Sequence, residues 1–243
     1  MRALLLLIFI SGFASATAQA TEQPFDPAVR RRQVEHEKIL QENPTSAEAH
    51  RAYAEFLSDN GNLRAAILHW RKAQELDPGD AATANSLGGA CLRAGNAAEA
   101  AEQFTRAVKL ARDNPAYHFN LANVEFMLRH DLKAAWNANT PELLEHALAE
   151  FRIASRLSPN DVEYARAYAE TFYGMPNPDW AAAEAAWKRV LALSGQSDFT
   201  YIQLARISLK RGNANEARRC LAKLTDTRTA TLKRKLLEEA DRL

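Results

Sequence analysis

The stretch GNLRAAILHWRKAQEL begins at residue 61, and GNAAEAAEQFTRAVKL begins 34 residues later, at residue 95. Most surface letters differ, yet Gly-Asn returns, and behind it Ala66, Trp70, Ala73 and Leu76 return as Ala100, Phe104, Ala107 and Leu110. Upstream, Tyr53, Ala54 and Leu57 return as Leu87, Gly88 and Cys91. Steps of three and four residues put each set on one face of a helix. Gly61-Asn62 and Gly95-Asn96 fall between the paired sets, where one helix stops and a turn begins. Asp77-Pro78-Gly79-Asp80 ends the second helix, since Pro78 cannot continue it and Asp80 can cap the next. The repeated unit is therefore a helical hairpin. Small residues stand where helices must approach (Ala54 with Ala66, Gly88 with Ala100), and an aromatic residue fills the remaining gap. One hairpin cannot bury its own apolar face, so copies must stack.

Later units keep the pattern and change its length. The third opens with PAYHFNLANVEFMLR, and its second helix, PELLEHALAEFRIASRLSP, carries Ala147, Phe151, Ala154 and Leu157 in register. Thirteen residues are inserted between them, around HDLKAAWNANT. The first helix is expected to run on past Arg129 toward Trp136, and Thr140-Pro141-Glu142 to start the next. The fourth unit uses Tyr168, Ala169 and Phe172, then Ala183, Trp187, Val190 and Leu193. The fifth starts at Asp198 and uses Leu204, Ala205, Gly212-Asn213, Ala217, Leu221 and Leu224. The pattern predicts an all-α, right-handed α-solenoid of about five helix-turn-helix hairpins. The units span about 47–80, 81–114, 115–159 (insertion near 130–140), 162–197 and 198–226, within a solenoid of 45–226. An N-terminal helix in 21–44, capped by Asp26 and opened by Pro27, and a C-terminal capping helix in 227–243 close the two ends.

The period, the small residues Gly88, Ala100 and Ala107, the aromatic Phe104 and the inter-repeat Pro78 together resemble the tetratricopeptide repeat (TPR) family. Arg112 stands where that family would place its next proline. The resemblance implies a concave surface, lined by first helices, that binds an extended or helical peptide. Helical phase directs Asn85, Leu92, Phe119, Asn123, Phe126, Met127, Arg166, Tyr173, Phe199, Ile202, Arg206 and Lys210 toward it. Asn and Arg side chains suit a peptide backbone, and Phe and Met supply apolar pockets. The competing reading packs several of these phenylalanines inside the superhelix. Some family members grip a C-terminal carboxylate with Lys and Asn. Here Arg51 and Glu55 stand in those places, and Asn120 with Asn123 does not rebuild the clamp.

The first 20 residues, MRALLLLIFISGFASATAQA, carry a basic start at Arg2, an apolar run from Ala3 to Ile10, and small residues ending in Ala18-Gln19-Ala20. This order predicts a cleavable secretory signal, removed near Ala20. Ser11, Gly12, Ser15, Thr17 and Gln19 dilute the segment as a membrane anchor, so no stable membrane insertion is expected after cleavage. Without Arg2 the chain holds 30 basic and 30 acidic residues, poor material for neutralising phosphates, so no nucleic-acid partner is expected. The balance is uneven: residues 197–243 carry 11 Lys/Arg against 6 Asp/Glu, which suits either a solvated face or an acidic partner. Cys91 and Cys220 sit among apolar helix positions and are expected to pack as separate thiols.

No phosphate loop, metalloprotease helix or nucleophile elbow occurs. Glu142 and His146 share an i, i+4 spacing that reads better as a surface pair than as half a metal site. The expectation is a non-catalytic protein without metal or cofactor. It is an exported adaptor, periplasmic or extracellular, whose partner is a protein or peptide. The second reading is an accessory subunit of an envelope complex, docked by its convex face or its insertion.

Overall fold

The computed structural model describes residues 26–243; the signal segment lies outside the described residues. Among the described residues, thirteen α-helices follow one another with two short 3-10 turns and no strand. The leading helix α1 (Pro27–Glu42) starts as its sequence dictates, with the Asp26 carboxylate accepting from the Ala28 amide. Five hairpins follow. They pair α2 (Ala47–Asp59) with α3 (Leu63–Leu76), and α4 (Ala81–Arg93) with α5 (Ala97–Leu110). Next, α6 (Pro115–Met127) pairs with α8 (Thr140–Leu157), with α7 (Arg129–Trp136) inserted between them. The last two hairpins join α9 (Val162–Thr171) to α10 (Trp180–Ser194), and α11 (Asp198–Lys210) to α12 (Ala214–Ala222). Each second helix packs on the first helix of the next hairpin, and α13 (Ala230–Ala240) covers α12 and α11 at the end. The architecture is an α-solenoid of helix-turn-helix repeats.

The recurring Gly-Asn is one device serving two helices. Gly61, Gly95 and Gly212 adopt positive φ of 78°, 80° and 72°, where a Cβ would be strained. That turn lets the next amide reach back five residues: Asn62 to Leu57 O (2.8 Å), Asn96 to Cys91 O (2.9 Å) and Asn213 to Ser208 O (2.8 Å). The same asparagines then cap the second helices, each side-chain oxygen accepting from the amide three residues on, at Ala65, Glu99 and Glu216.

Packing explains the small residues. A Cβ on Gly88 would lie 2.9 Å from two carbons of the Phe104 ring and 3.2 Å from Ala100 O, so α4 and α5 can close only because nothing is there. The aromatic position of the first four second helices is filled by Trp70, Phe104, Phe151 and Trp187, all buried; in the fifth, Leu221 takes that place. Each contributes about 1.5–3 kcal/mol by burial. The two tryptophans also leave their Nε1–H groups without an acceptor among the described residues, a polar cost that phenylalanine avoids. Most of the buried apolar residues form two clusters, one from Tyr53 to Leu143 and one from Ala165 to Ala240. Cys91 lies in the first and Cys220 in the second, and both are free thiols.

The insertion differs from the expected long helix. The backbone breaks at Leu128 (φ −107°, ψ 22°), and α7 starts afresh at Arg129. Leu132 is the reason: it is fully buried in the first core cluster, and α7 turns to lie against α5 and α8. Asn137 ends α7 in the left-handed region (φ 50°), and Pro141 opens α8.

Candidate functional site

The first helices α2, α4, α6, α9 and α11 each leave one open stripe. On α11 only Phe199, Arg206 and Lys210 are exposed from Phe199 to Lys210, and with buried Gln203 they recur at steps of three and four. The same spacing sets Asn120, Asn123 and Met127 on α6, and Asn85 and Leu92 on α4. A groove of about 410 Å³ crosses α2, α4 and α6, lined by Glu55, Asp59, Asn85, Gly89, Leu92, Arg93 and Asn120 among others, over Trp70 and Phe104. Gly89 has no atom nearer its Cβ position than Arg93 Nη1 at 3.9 Å, which leaves that side of α4 open.

Two cross-helix bonds organise the groove. Asn120 Nδ2 donates to Asn85 Oδ1 at 2.8 Å, and Arg93 donates to Ser58 Oγ at 2.7 Å. The amide pair uses one donor and one acceptor. Asn120 Oδ1 and Asn85 Nδ2 have no other partner among the described residues, a matched acceptor and donor between neighbouring helices. Arg51 binds Glu55 at 3.0 Å within α2.

Toward the C-terminal half the surface becomes aromatic. Phe119 packs edge-on to Phe151 (5.7 Å) and tilted on Tyr164 (4.8 Å), so it is half-buried. Phe126 meets Phe151 at 6.5 Å, and its ring lies against Gly174, where a Cβ would come within 2.7 Å. Tyr173 follows directly, at the 3-10 turn Phe172–Gly174. It donates to Gln203 Oε1 at 2.9 Å and shares the Trp187 ring with Phe199, at 6.5 and 5.7 Å. Desolvation pushes the Tyr173 hydroxyl up to about 12, so it stays a donor at neutral pH.

The structure thus divides the twelve expected residues. Leu92, Met127, Arg166, Tyr173, Phe199, Arg206 and Lys210 are exposed; Asn85, Phe119, Asn123 and Phe126 are half-buried, the phenylalanines as interior packing with one open edge. Ile202 is a correction: at 8% exposure it belongs to the second core cluster, because α11 is buried on all sides but one. Sequence phase missed Asn120 as a partner of Asn85, as well as Gln203. Both stand one position from residues it did choose.

The titratable residues collect elsewhere, between α6 and α8. His118 Nδ1 meets Glu150 Oε2 at 2.5 Å, and its Nε2 donates to Arg112 O at 2.8 Å. His146 donates to Glu125 Oε2 at 2.7 Å and stands 3.7 Å from Glu150. The spacing that suggested Glu142 as the partner of His146 is overridden by the facing helix. The bond to Glu125 raises the His146 pKa, and desolvation raises that of Glu125. Among the described residues, no three His, Cys, Asp or Glu side chains group as metal ligands, and no helix is long and apolar enough to cross a membrane.

The tetratricopeptide repeat family model matches residues 57–115 and, overlapping, 87–136. No curated protein matches the chain. Among solved structures, YrrB, described as a TPR protein with an unusual peptide-binding site, aligns with a TM-score of 0.65 at 20% identity, covering 86% of this chain and 98% of its own. MamA protein aligns at 0.60 and 15% identity, covering 81% and 92%. Pseudomonas aeruginosa pilF aligns at 0.58 and 20%, covering 87% and 89%. At these identities the likeness is one of fold. The helix-turn-helix repeats of this chain are supported by the family model over residues 57–136 and, as a fold, by these neighbours.

Proposed function

We propose that this protein is an exported, non-catalytic adaptor of the cell envelope that binds an extended segment of a partner protein along the stripe of its first helices. The observation that carries the reading is the Asn85–Asn120 pair, with one amide donor and one acceptor left over in the groove across α2, α4 and α6. A peptide unit presents the complementary pair, and Leu92 and Met127 (66% exposed), each two turns further along the same helix as its asparagine, offer apolar contacts. The peptide-binding site described for YrrB agrees with such a use of the fold. Export rests on the order of residues 1–20 alone.

Two experiments test the reading. Random peptides about a dozen residues long, displayed on phage, are selected on the purified protein. Binders are expected to lose about tenfold in affinity or more with Asn85→Ala plus Met127→Ala. If no peptide is selected, or the double variant binds each one unchanged, peptide binding on this stripe is wrong. Intact mass of protein exported by its own host should begin at Thr21; a species retaining residues 1–20 would support an anchor.

Docking by the outer surface is the second reading. Leu68 favours it: 64% exposed on α3, it sits in a shallow outer groove with Arg64, Ile67, Arg71 and Glu99. In that case Leu68→Glu abolishes partner capture and the stripe variants do not.

A further inference from the structure

The stripe changes chemistry along its length, and its C-terminal end has a composition of its own. On α11, Arg206 and Lys210 are exposed one turn apart, and neither has an ion-pair partner within 4 Å among the described residues. Other cations nearby are already matched: Arg166 faces Glu170 at 3.7 Å, and Arg211 binds the buried Glu184 together with Lys188. Arg206 lies close enough to act electrostatically on Tyr173, and Phe199 stands two turns before Arg206 on the same helix; the two aromatics are 42% and 48% exposed. Both rest on the same buried Trp187 ring, and Tyr173 is tied to Gln203 on α11. The exposed aromatic edges are therefore held in place rather than loose. The segment 197–243 that contains them carries 11 Lys/Arg against 6 Asp/Glu.

We infer that this end of the stripe selects an acidic peptide segment, with Asp or Glu side chains over Arg206 and Lys210 and an apolar side chain against Tyr173 and Phe199. The inference rests on the peptide-binding reading above and adds its specificity. An unmatched guanidinium gains most from a carboxylate, which it can meet with two parallel hydrogen bonds. Nucleic acid also combines anions with stacking, but it spaces one phosphate along every nucleotide and needs a basic track. Here the Glu170 carboxylate interrupts the basic surface on the neighbouring helix, and the whole chain carries a formal charge of only +1.

The peptides selected on phage supply the test. They are expected to be enriched in Asp and Glu next to an aromatic or aliphatic residue. Arg206→Gln with Lys210→Gln should weaken an acidic binder about tenfold and flatten its salt dependence, while Arg206→Lys keeps most of the salt response. Both side chains are exposed, so unchanged melting is expected and is measured first. Selected peptides without acidic enrichment, or an unchanged affinity for the Gln pair, overturn the specificity while leaving peptide binding intact. An oligothymidylate that binds more tightly than the peptides and depends on Arg206 and Lys210 also overturns it. Failure to select any peptide removes the underlying reading and this inference with it.

Discussion

Gly88 and Gly89 are chain neighbours in one helix and should respond oppositely to the same change. A methyl on Gly88 meets the Phe104 ring at 2.9 Å and the Ala100 carbonyl at 3.2 Å. Gly88→Ala is expected to destabilise the protein by about 1–3 kcal/mol through overpacking. Gly89 has open space, so Gly89→Ala should stabilise by about 0.5–1 kcal/mol through helix propensity. Urea midpoints decide both, and a loss of stability at Gly89 would mean that α4 is rotated from its described phase. The thiols make a second residue-scale case. Burial pushes the pKa of Cys91 up to about 12 and that of Cys220 to about 11, so neither should react with a thiol reagent at pH 8 in the folded protein. Unfolding without reductant should expose two reactive groups; a count of zero would reveal a disulfide.

At the scale of elements, the α6–α8 hairpin carries a pH dependence with a definite sign. The bond to Glu125 raises the His146 pKa above 6.5, so the fold binds that proton more tightly than the unfolded chain. Its stabilisation is complete below about pH 6.5 and is lost as pH rises through the higher folded value. Glu125 is also raised, by burial, and acts in the same direction at lower pH. His36 and His69 are lowered by desolvation, so their contribution runs the other way: present above 6.5 and lost as pH falls. The informative quantity is therefore a difference. The stability of the wild type relative to His146→Gln should shrink between pH 6.5 and 8.5 in melting experiments, and a constant difference would refute the ion pair. The inserted helix offers a simpler test. Leu132 is fully buried at the junction of α7 with α5 and α8, and Leu132→Ala should cost about 2–5 kcal/mol by leaving a cavity. If denaturation shows less than 1 kcal/mol, α7 is an appendage rather than part of the core.

Across the whole molecule, the two core clusters meet at the third hairpin. One runs from Tyr53 to Leu143 and the other from Ala165 to Ala240; α8 gives Leu143 to the first and packs Leu148 against the second. In a stacked array each hairpin touches only its neighbours, so stability is a chain of local terms. Leu87→Ala removes a fully buried side chain from the first cluster. Hydrogen exchange should then show faster opening over residues 47–143 and little change over 165–240. Uniform acceleration along the chain would mean that the solenoid opens as one unit.

The array itself was legible because its causes are local. Gly-Asn at a 34-residue interval specifies a left-handed turn followed by a cap, and apolar steps of three and four specify the faces that stack. Those are properties of a few adjacent residues and need no contact from elsewhere in the chain. The break at Leu128 was not local: residues 115–136 satisfy a continuous helix, and only the burial of Leu132 against α5 and α8 turns the chain. The same holds for the stripe. Helical phase found Tyr173, Phe199, Arg206 and Lys210, but it placed Ile202 on the surface, because phase does not say how many neighbours enclose a helix. Nor does it say which side chains meet across 30 or 35 residues. The Asn85–Asn120 amide pair, the Tyr173–Gln203 bond and the two His–Glu contacts join different helices. Tertiary structure alone decided them, since a hydrogen bond depends on ångström-scale distance while hydrophobic periodicity fixes only direction.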